Sequence, residues 1–178
     1  LMGKEPADVP ALPQTNLEVL PTRTIYTFEG EGVRLTLTFM TPALPEDLEV
    51  LSRPVTYLTL DLRASDSKTH EVAFYLDASG ELSVNEPRQE VICSMLPPGG
   101  GLRVLKVGAK EQSILAKKGD DIRIDWGYFY LTAKTDKSVT MSVGEAGSLK
   151  REFVSTGTQK EMVHIKRKSF IDFILRHI

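Results

Sequence analysis

Cysteine is nearly absent from this chain. Cys93 is the only one in 178 residues, so no intramolecular disulfide can form and a disulfide scaffold is excluded. The redox compartment stays open, because exported bacterial proteins also fold without bridges. Charge of one sign is equally lacking: 22 Lys+Arg stand against 24 Asp+Glu, a net of −2. That balance provides no polybasic field and argues against a nucleic-acid partner. No apolar run approaches the ~20 residues that span a bilayer, and neither a signal peptide nor an Asn-x-Ser/Thr acceptor is visible. The chain starts at Leu1, which fits a processed or excised piece with any export signal upstream.

What is present is period-two alternation. Residues 1–15 hold three prolines and read as an extended lead-in. In 33–40, Val33, Leu35, Leu37 and Phe39 alternate with Arg34, Thr36 and Thr38, the pattern of a half-buried strand. Residues 22–28 are similar, and Glu29-Gly30-Glu31-Gly32 between them predicts a hairpin. The proline-rich stretch 41–54 reads as a long crossing loop. Leu58, Leu60 and Leu62 mark a strand over 55–63, and Val72, Phe74 and Leu76 another over 70–77, which Leu82 and Val84 extend. Further strands are expected at 91–93, 102–107, 122–131 and 138–143, with turns at Pro97-Pro98-Gly99-Gly100-Gly101 and Gly119-Asp120. Short strands at this spacing, with no crossover helices, predict an all-β antiparallel sandwich of two packed sheets and exclude parallel α/β. A short helix is expected at 148–153, with Ser148 as N-cap and Leu149 and Phe153 one turn apart. In 160–178, Ile171, Ile174, Leu175 and Ile178 recur at helical spacing, which predicts short C-terminal helices ending in an amphipathic one.

Few residues carry recognisable chemistry. Cys93 lies in an apolar strand pattern without a neighbouring base and reads as a buried, inert thiol. His70, His164 and His177 lack the spacing of metal ligands, so no metal is expected. Asp121, Arg123 and Asp125 share one face of a strand opposite Ile122, Ile124 and Trp126. Two aspartates four apart on a strand are about 13 Å apart, beyond the ~5–9.5 Å of a glycosidase pair, so Arg123 flanked by two carboxylates is preferred to a calcium or sugar site. Gly99-Gly100-Gly101 lacks the lysine and helix of a phosphate loop. Tyr26, Tyr57, Tyr75, Trp126, Tyr128, Phe129 and Tyr130 would stack a sugar if exposed on one face, but single strand aromatics usually belong to the core. Lys166-Arg167-Lys168 is interrupted by Glu161 and Asp172 and reads as a solvated helix face. No catalytic, cofactor-binding or metal residue is assigned.

Longer runs carry a resemblance. Ala11-Leu12-Pro13-Gln14-Thr15, Pro21-Thr22-Arg23-Thr24-Ile25-Tyr26-Thr27-Phe28, Gly32-Val33-Arg34-Leu35-Thr36-Leu37-Thr38-Phe39 and Thr41-Pro42-Ala43-Leu44-Pro45 follow one another. Leu51-Ser52-Arg53-Pro54-Val55-Thr56-Tyr57-Leu58, Asp77-Ala78-Ser79 and Gly119-Asp120-Asp121-Ile122-Arg123-Ile124-Asp125-Trp126-Gly127-Tyr128 continue the series. Over residues 1–157 the chain resembles the glutaminase A family, large glutamine-hydrolysing proteins of fungi and of bacteria such as Bacteroides. The resemblance implies a β-sandwich domain over 1–157, N-terminal to a helical α/α-toroid where catalysis is presumed, and a periplasmic or secreted home. No catalytic residue carries over, because the toroid is not in this chain. Residues 158–178 depart from the family pattern and read as a divergent helical tail.

Three functions follow as expectations. The first is a non-catalytic domain that supports the toroid partner, with no cofactor, no nucleic acid and no membrane span, and with a homodimer through the C-terminal helix as a further option. The second is a carbohydrate-binding or interaction module, for which a row of coplanar exposed aromatics would speak. The third, an amide hydrolase in its own right, lacks a nucleophile–base arrangement.

Overall fold

A computed structural model describes residues 10–116, 126–156 and 170–177. The fold is all-β with antiparallel pairing throughout, as the alternation predicts. It divides into two compact units, residues 1–70 and 71–178.

The first unit is a four-stranded meander of β1 (Gln14–Leu20), β2 (Arg23–Gly30), β3 (Val33–Met40) and β4 (Tyr57–Ala64), in that order. The β2–β3 hairpin closes on Glu31 and Gly32 alone, both at positive φ (51° and 77°). That is the primed two-residue turn whose twist matches antiparallel strands. The register places Tyr26 opposite Leu37 and Leu37 opposite Leu60, and Phe28 opposite Leu35 and Leu35 opposite Leu62. The alternating residues thus line one apolar face, with Phe28 and Leu37 buried. The other face carries threonines and charges.

The crossing segment 41–56 contains an element that the prolines hide. Leu48–Leu51 forms a one-turn helix, α1, capped by Asp47, whose Oδ1 accepts from the Val50 amide at 3.0 Å.

The second unit contains β5 (Val72–Ser79), β6 (Val91–Met95), β7 (Leu102–Ala109), β8 (Tyr128–Lys134), β9 (Val139–Gly144), α2 (Ala146–Thr156) and β10 (Phe170–His177). Strands β6-β7-β8 make one sheet and β5-β10-β9 another. Their inner faces meet in one core. Leu105, Val107, Ala109 and Ala133 come from the first sheet, and Val139, Met141 and Val143 come from the second.

Leu82 and Val84 do not extend β5. Gly80–Ser83 is a 3₁₀ turn opened by Ser79, whose Oγ accepts from the Glu81 amide. Ser148 is not an N-cap either. Helix α2 begins two residues earlier, and the Ser148 hydroxyl donates to Glu145 at 2.8 Å. Leu149 and Phe153 do share a face. Leu149 is fully buried against Gly144, and Phe153 packs on Tyr75 with ring centroids 5.1 Å apart.

The largest correction concerns the C-terminus. Residues 170–177 are not the expected amphipathic helix but the middle strand of a sheet, with Phe173 opposite Leu76 on one side and Met141 on the other. The helical reading rests on Ile171, Ile174 and Leu175. Phe170, Ile171, Phe173, Ile174 and Leu175 form a nearly continuous apolar run, however, and such a run satisfies both periods. Aromatic and β-branched content favours the strand. The helical face proposed to mediate a homodimer is therefore not formed by these residues. Residues 157–169 and Ile178, with His164 and Lys166-Arg167-Lys168, lie outside the described residues.

Candidate functional site

The residues that distinguish one surface of the second unit are Ile92, Lys106, Tyr128 and Tyr130. On β6, β7 and β8, Cys93, Leu105, Val107, Phe129 and Leu131 point into the core, so period two sends their neighbours outward. The register aligns Ile92, Gly108 and Tyr128 in one row and Ser94, Lys106 and Tyr130 in the next. Tyr128 and Tyr130 are 45% and 49% exposed, and Ile92 is 55% exposed, an uncovered apolar strip on a solvent face.

The position of Tyr128 is fixed from two sides. Gln112 donates to the Ala109 carbonyl at 2.7 Å and accepts from the Gly127 amide at 2.6 Å. Its amide thereby ties the end of β7 to the residue that opens β8. Gly127 takes φ of 91°, a conformation that favours glycine. Lys106 Nζ lies 3.5 Å from the Tyr128 ring centroid. A cation–π contact at an exposed site contributes about 0.5–1 kcal/mol. The Tyr130 ring sits 6.3 Å from that of Tyr128 at an interplanar angle of 61°. The pair is therefore edge-to-face, not the coplanar row that would make a flat sugar platform. It offers two hydroxyls, an ammonium and aromatic surface for recognition rather than bond making.

A second polar arrangement lies in the first unit. His70 Nε2 is 2.8 Å from Asp66 Oδ1, and Asp66 also accepts from the Lys68 amide at 2.9 Å. The His70 hydrogen bond, reinforced by the Lys68 amide, holds the Asp66 carboxyl below the usual carboxylate range. Both side chains crowd the hairpin turn: a Cβ on Gly32 would meet Asp66 Oδ2 at 2.4 Å and His70 Cε1 at 2.6 Å. This pair latches the 65–70 loop over the β2–β3 turn.

The other residues singled out in the sequence fall as follows. Cys93 is half-buried on β6 against the core, opposite Val107, and forms no disulfide. His177 is the last residue of β10, opposite Val72. Asp121, Arg123 and Asp125 lie outside the described residues. Gly100 and Gly101 take positive φ in an open turn, where a Cβ on either would meet no atom within 4 Å. Tyr26 packs on Phe28 and Phe39, and Tyr75 donates to Asp77 at 3.2 Å. Among the described residues no three His, Cys, Asp or Glu side chains converge as a metal site, and no helix is long and apolar enough to cross a membrane. Alternation does not single out Ile92 or Lys106, although both sit at outward positions that it defines.

Comparison with known proteins places this chain in a family. The model of the DUF5127 family, a domain of unknown function, matches residues 22–169. The chain is also 24% identical over 157 residues to "Glutaminase A" of Aspergillus oryzae (strain ATCC 42149 / RIB 40). That alignment covers 88% of this chain but 22% of the relative, so the chain spans about a fifth of the protein it matches. The chain belongs to the DUF5127 family and is related to a glutaminase.

Proposed function

We propose that this DUF5127 domain is a non-catalytic β-sandwich domain of a glutaminase-type protein, supporting a helical toroid domain that carries the hydrolysis of glutamine to glutamate and ammonia. The observation behind this reading is the coverage. Nearly all of this chain aligns with only 22% of the glutaminase, leaving the bulk of that polypeptide for other domains. The polar groups point the same way. The Asp66–His70 pair is spent on a turn, and Cys93 packs on a core. The same reading carries a periplasmic or secreted location, which the resemblance implies. Purified chain incubated with glutamine should release no ammonia above a protein-free blank. Release that disappears in a His70→Ala variant would overturn the accessory role.

A second reading, a carbohydrate-binding module, draws on the exposure of Tyr128 and Tyr130. The 61° between their rings counts against an extended stacking strip. Affinity electrophoresis on soluble polysaccharides separates the two readings: retardation lost in Tyr130→Ala supports a module, and free migration supports the accessory domain.

A further inference from the structure

The connection between β3 and β4 is 16 residues long, 41–56, although the strands it joins are hairpin neighbours paired from Met40–Tyr57 onward. Most connections in compact domains are much shorter, and long ones are usually either functional or disordered. This one is ordered. Its neck is pinned by the Thr41 and Thr56 hydroxyls at 2.9 Å and by the Thr41 amide donating to the Thr22 carbonyl at 3.0 Å. Its tip is built by the Asp47 cap, by the Leu51 and Ser52 amides donating to Asp47 and Leu48, and by an ion pair between Arg53 and Glu49.

These bonds hold leucines away from any core. Leu44, Leu48, Leu51 and Val55 are 51%, 74%, 44% and 40% exposed, and α1 has no buried residue. A capped helical turn with Leu48 and Leu51 this exposed gains little stability from those two side chains. Its order instead presents Leu48 and Leu51 outward, with little conformational entropy left to lose on contact.

The surroundings restrict the partner. Glu46, Asp47 and Glu49 stand against Arg53 in this loop, a net of −2, so a complementary surface has an apolar groove with a basic rim. Four such side chains, even fully covered, fall short of the roughly 800 Å² per partner of a stable free-standing interface. Too small for a dimer of separate chains, the patch suits a neighbour held at the millimolar effective concentration of a short tether.

We infer that the 41–56 loop is the docking surface for the neighbouring domain of a glutaminase-type polypeptide, engaging a basic-rimmed apolar groove through Leu48 and Leu51. This rests on the accessory reading above and adds the face through which the domain acts.

The test uses the full chain and two amphipathic helical peptides of about 18 residues, or five turns. One is built of Leu and Lys, the other of Leu and Glu, and binding is followed by fluorescence anisotropy. Titrated into the millimolar range that a short tether would supply, the Leu/Lys peptide is expected to bind, more tightly than the Leu/Glu peptide, and to weaken at least about tenfold against L48S/L51S. Both leucines are exposed, so the double variant should melt with the parent. If it does not, L48S alone replaces it. Equal binding by the double variant, or equal binding of the two peptides, overturns the inference. So does a concentration-dependent dimer in light scattering that L48S/L51S abolishes, because the occupant would then be a second copy. Ammonia release takes no part in these readouts. Hydrolysis by the isolated chain would thus remove the accessory reading and leave the surface standing, whereas loss of peptide discrimination would do the reverse.

Discussion

The ring of Tyr128 occupies the space above Gly108: a Cβ on that glycine would lie 2.3 Å from Tyr128 Cδ1 and 2.7 Å from the Gly127 carbonyl oxygen. Glycine is needed here for space. Gly108→Ala should destabilise the second unit by about 1–3 kcal/mol, the usual cost of forcing volume into a filled position. The half-exposed Tyr128 ring can swing away, but the Gly127 carbonyl belongs to a backbone held by Gln112. A cycle with Tyr128→Ala should therefore recover part of the loss and not all of it. Urea midpoints of the four proteins measure this, and full recovery would show that the carbonyl contact is unimportant.

A second prediction contrasts apolar residues in opposite surroundings. Leu105 and Met141 are 0% exposed and come from facing sheets, whereas Leu48 is 74% exposed. Leu105→Ala or Met141→Ala should cost about 2–5 kcal/mol, from lost burial plus the cavity left behind. Leu48→Ala should stay within about 0.5 kcal/mol of the parent. Chemical denaturation monitored by circular dichroism, which reports the strands of both units, checks all three. A large loss at Leu48 would mean that the loop leucine stabilises the fold after all.

These contrasts mark what was legible in the sequence. Alternation exposes β2, β3 and β4 because one face of their sheet is apolar and the other is polar, and the Glu31-Gly32 turn follows from local backbone chemistry. It fails at β10, because Phe170, Ile171, Phe173, Ile174 and Leu175 form a nearly continuous apolar run that satisfies both periods, and its pairing with Val72–Ser79 and Val139–Gly144 has no local signal. In 41–54 three prolines mask α1, whose evidence is one cap at Asp47. The candidate surfaces are harder still. Tyr26 and Tyr130 both occupy alternating strand positions, yet Tyr26 packs on two phenylalanines while Tyr130 is half exposed. What lies over each face is decided by tertiary packing that a strand pattern does not encode.

The Asp66–His70 latch makes a prediction about acid. The Asp66 carboxyl is held below its ordinary range first by the His70 hydrogen bond and then by the Lys68 amide. A carboxyl with a depressed pKa in the folded state contributes stability that is fully present above the unfolded value of about 3.9. That contribution disappears as the pH falls through the lower folded value. Asp66→Asn should therefore lower the melting temperature at neutral pH and flatten its decline on acidification below about pH 4. Asp61, depressed by Arg63, and Asp136, depressed by Ser138, act in the same direction, so flattening should be partial. An unchanged acid limb in thermal melts across that range would show that the latch is not coupled to folding.

The final prediction concerns the C-terminal strand. Phe170–His177 pairs with Val72–Ser79 along its whole length and with β9 from Phe170 to Leu175. Ending the chain at residue 169 removes a middle strand rather than a tail. Both β5 and β9 would then present an unpaired ladder, and a sheet whose remaining strands are not neighbours has no sheet left to hold. Each lost ladder hydrogen bond costs about 0.5–1.5 kcal/mol net. Two full ladders together with the strand's packing are comparable to the roughly 5–15 kcal/mol that stabilises a typical domain. The shortened chain should lose the cooperative unfolding transition of residues 71–169 and aggregate through its open edges, while the hairpins of β6, β7 and β8 keep residual strand signal. Circular dichroism melts and amide exchange of Val139–Gly144 provide the measurement. A soluble shortened chain with a single sharp transition and protected β9 amides would mean that β5 and β9 close the gap themselves, and the strand would then be dispensable.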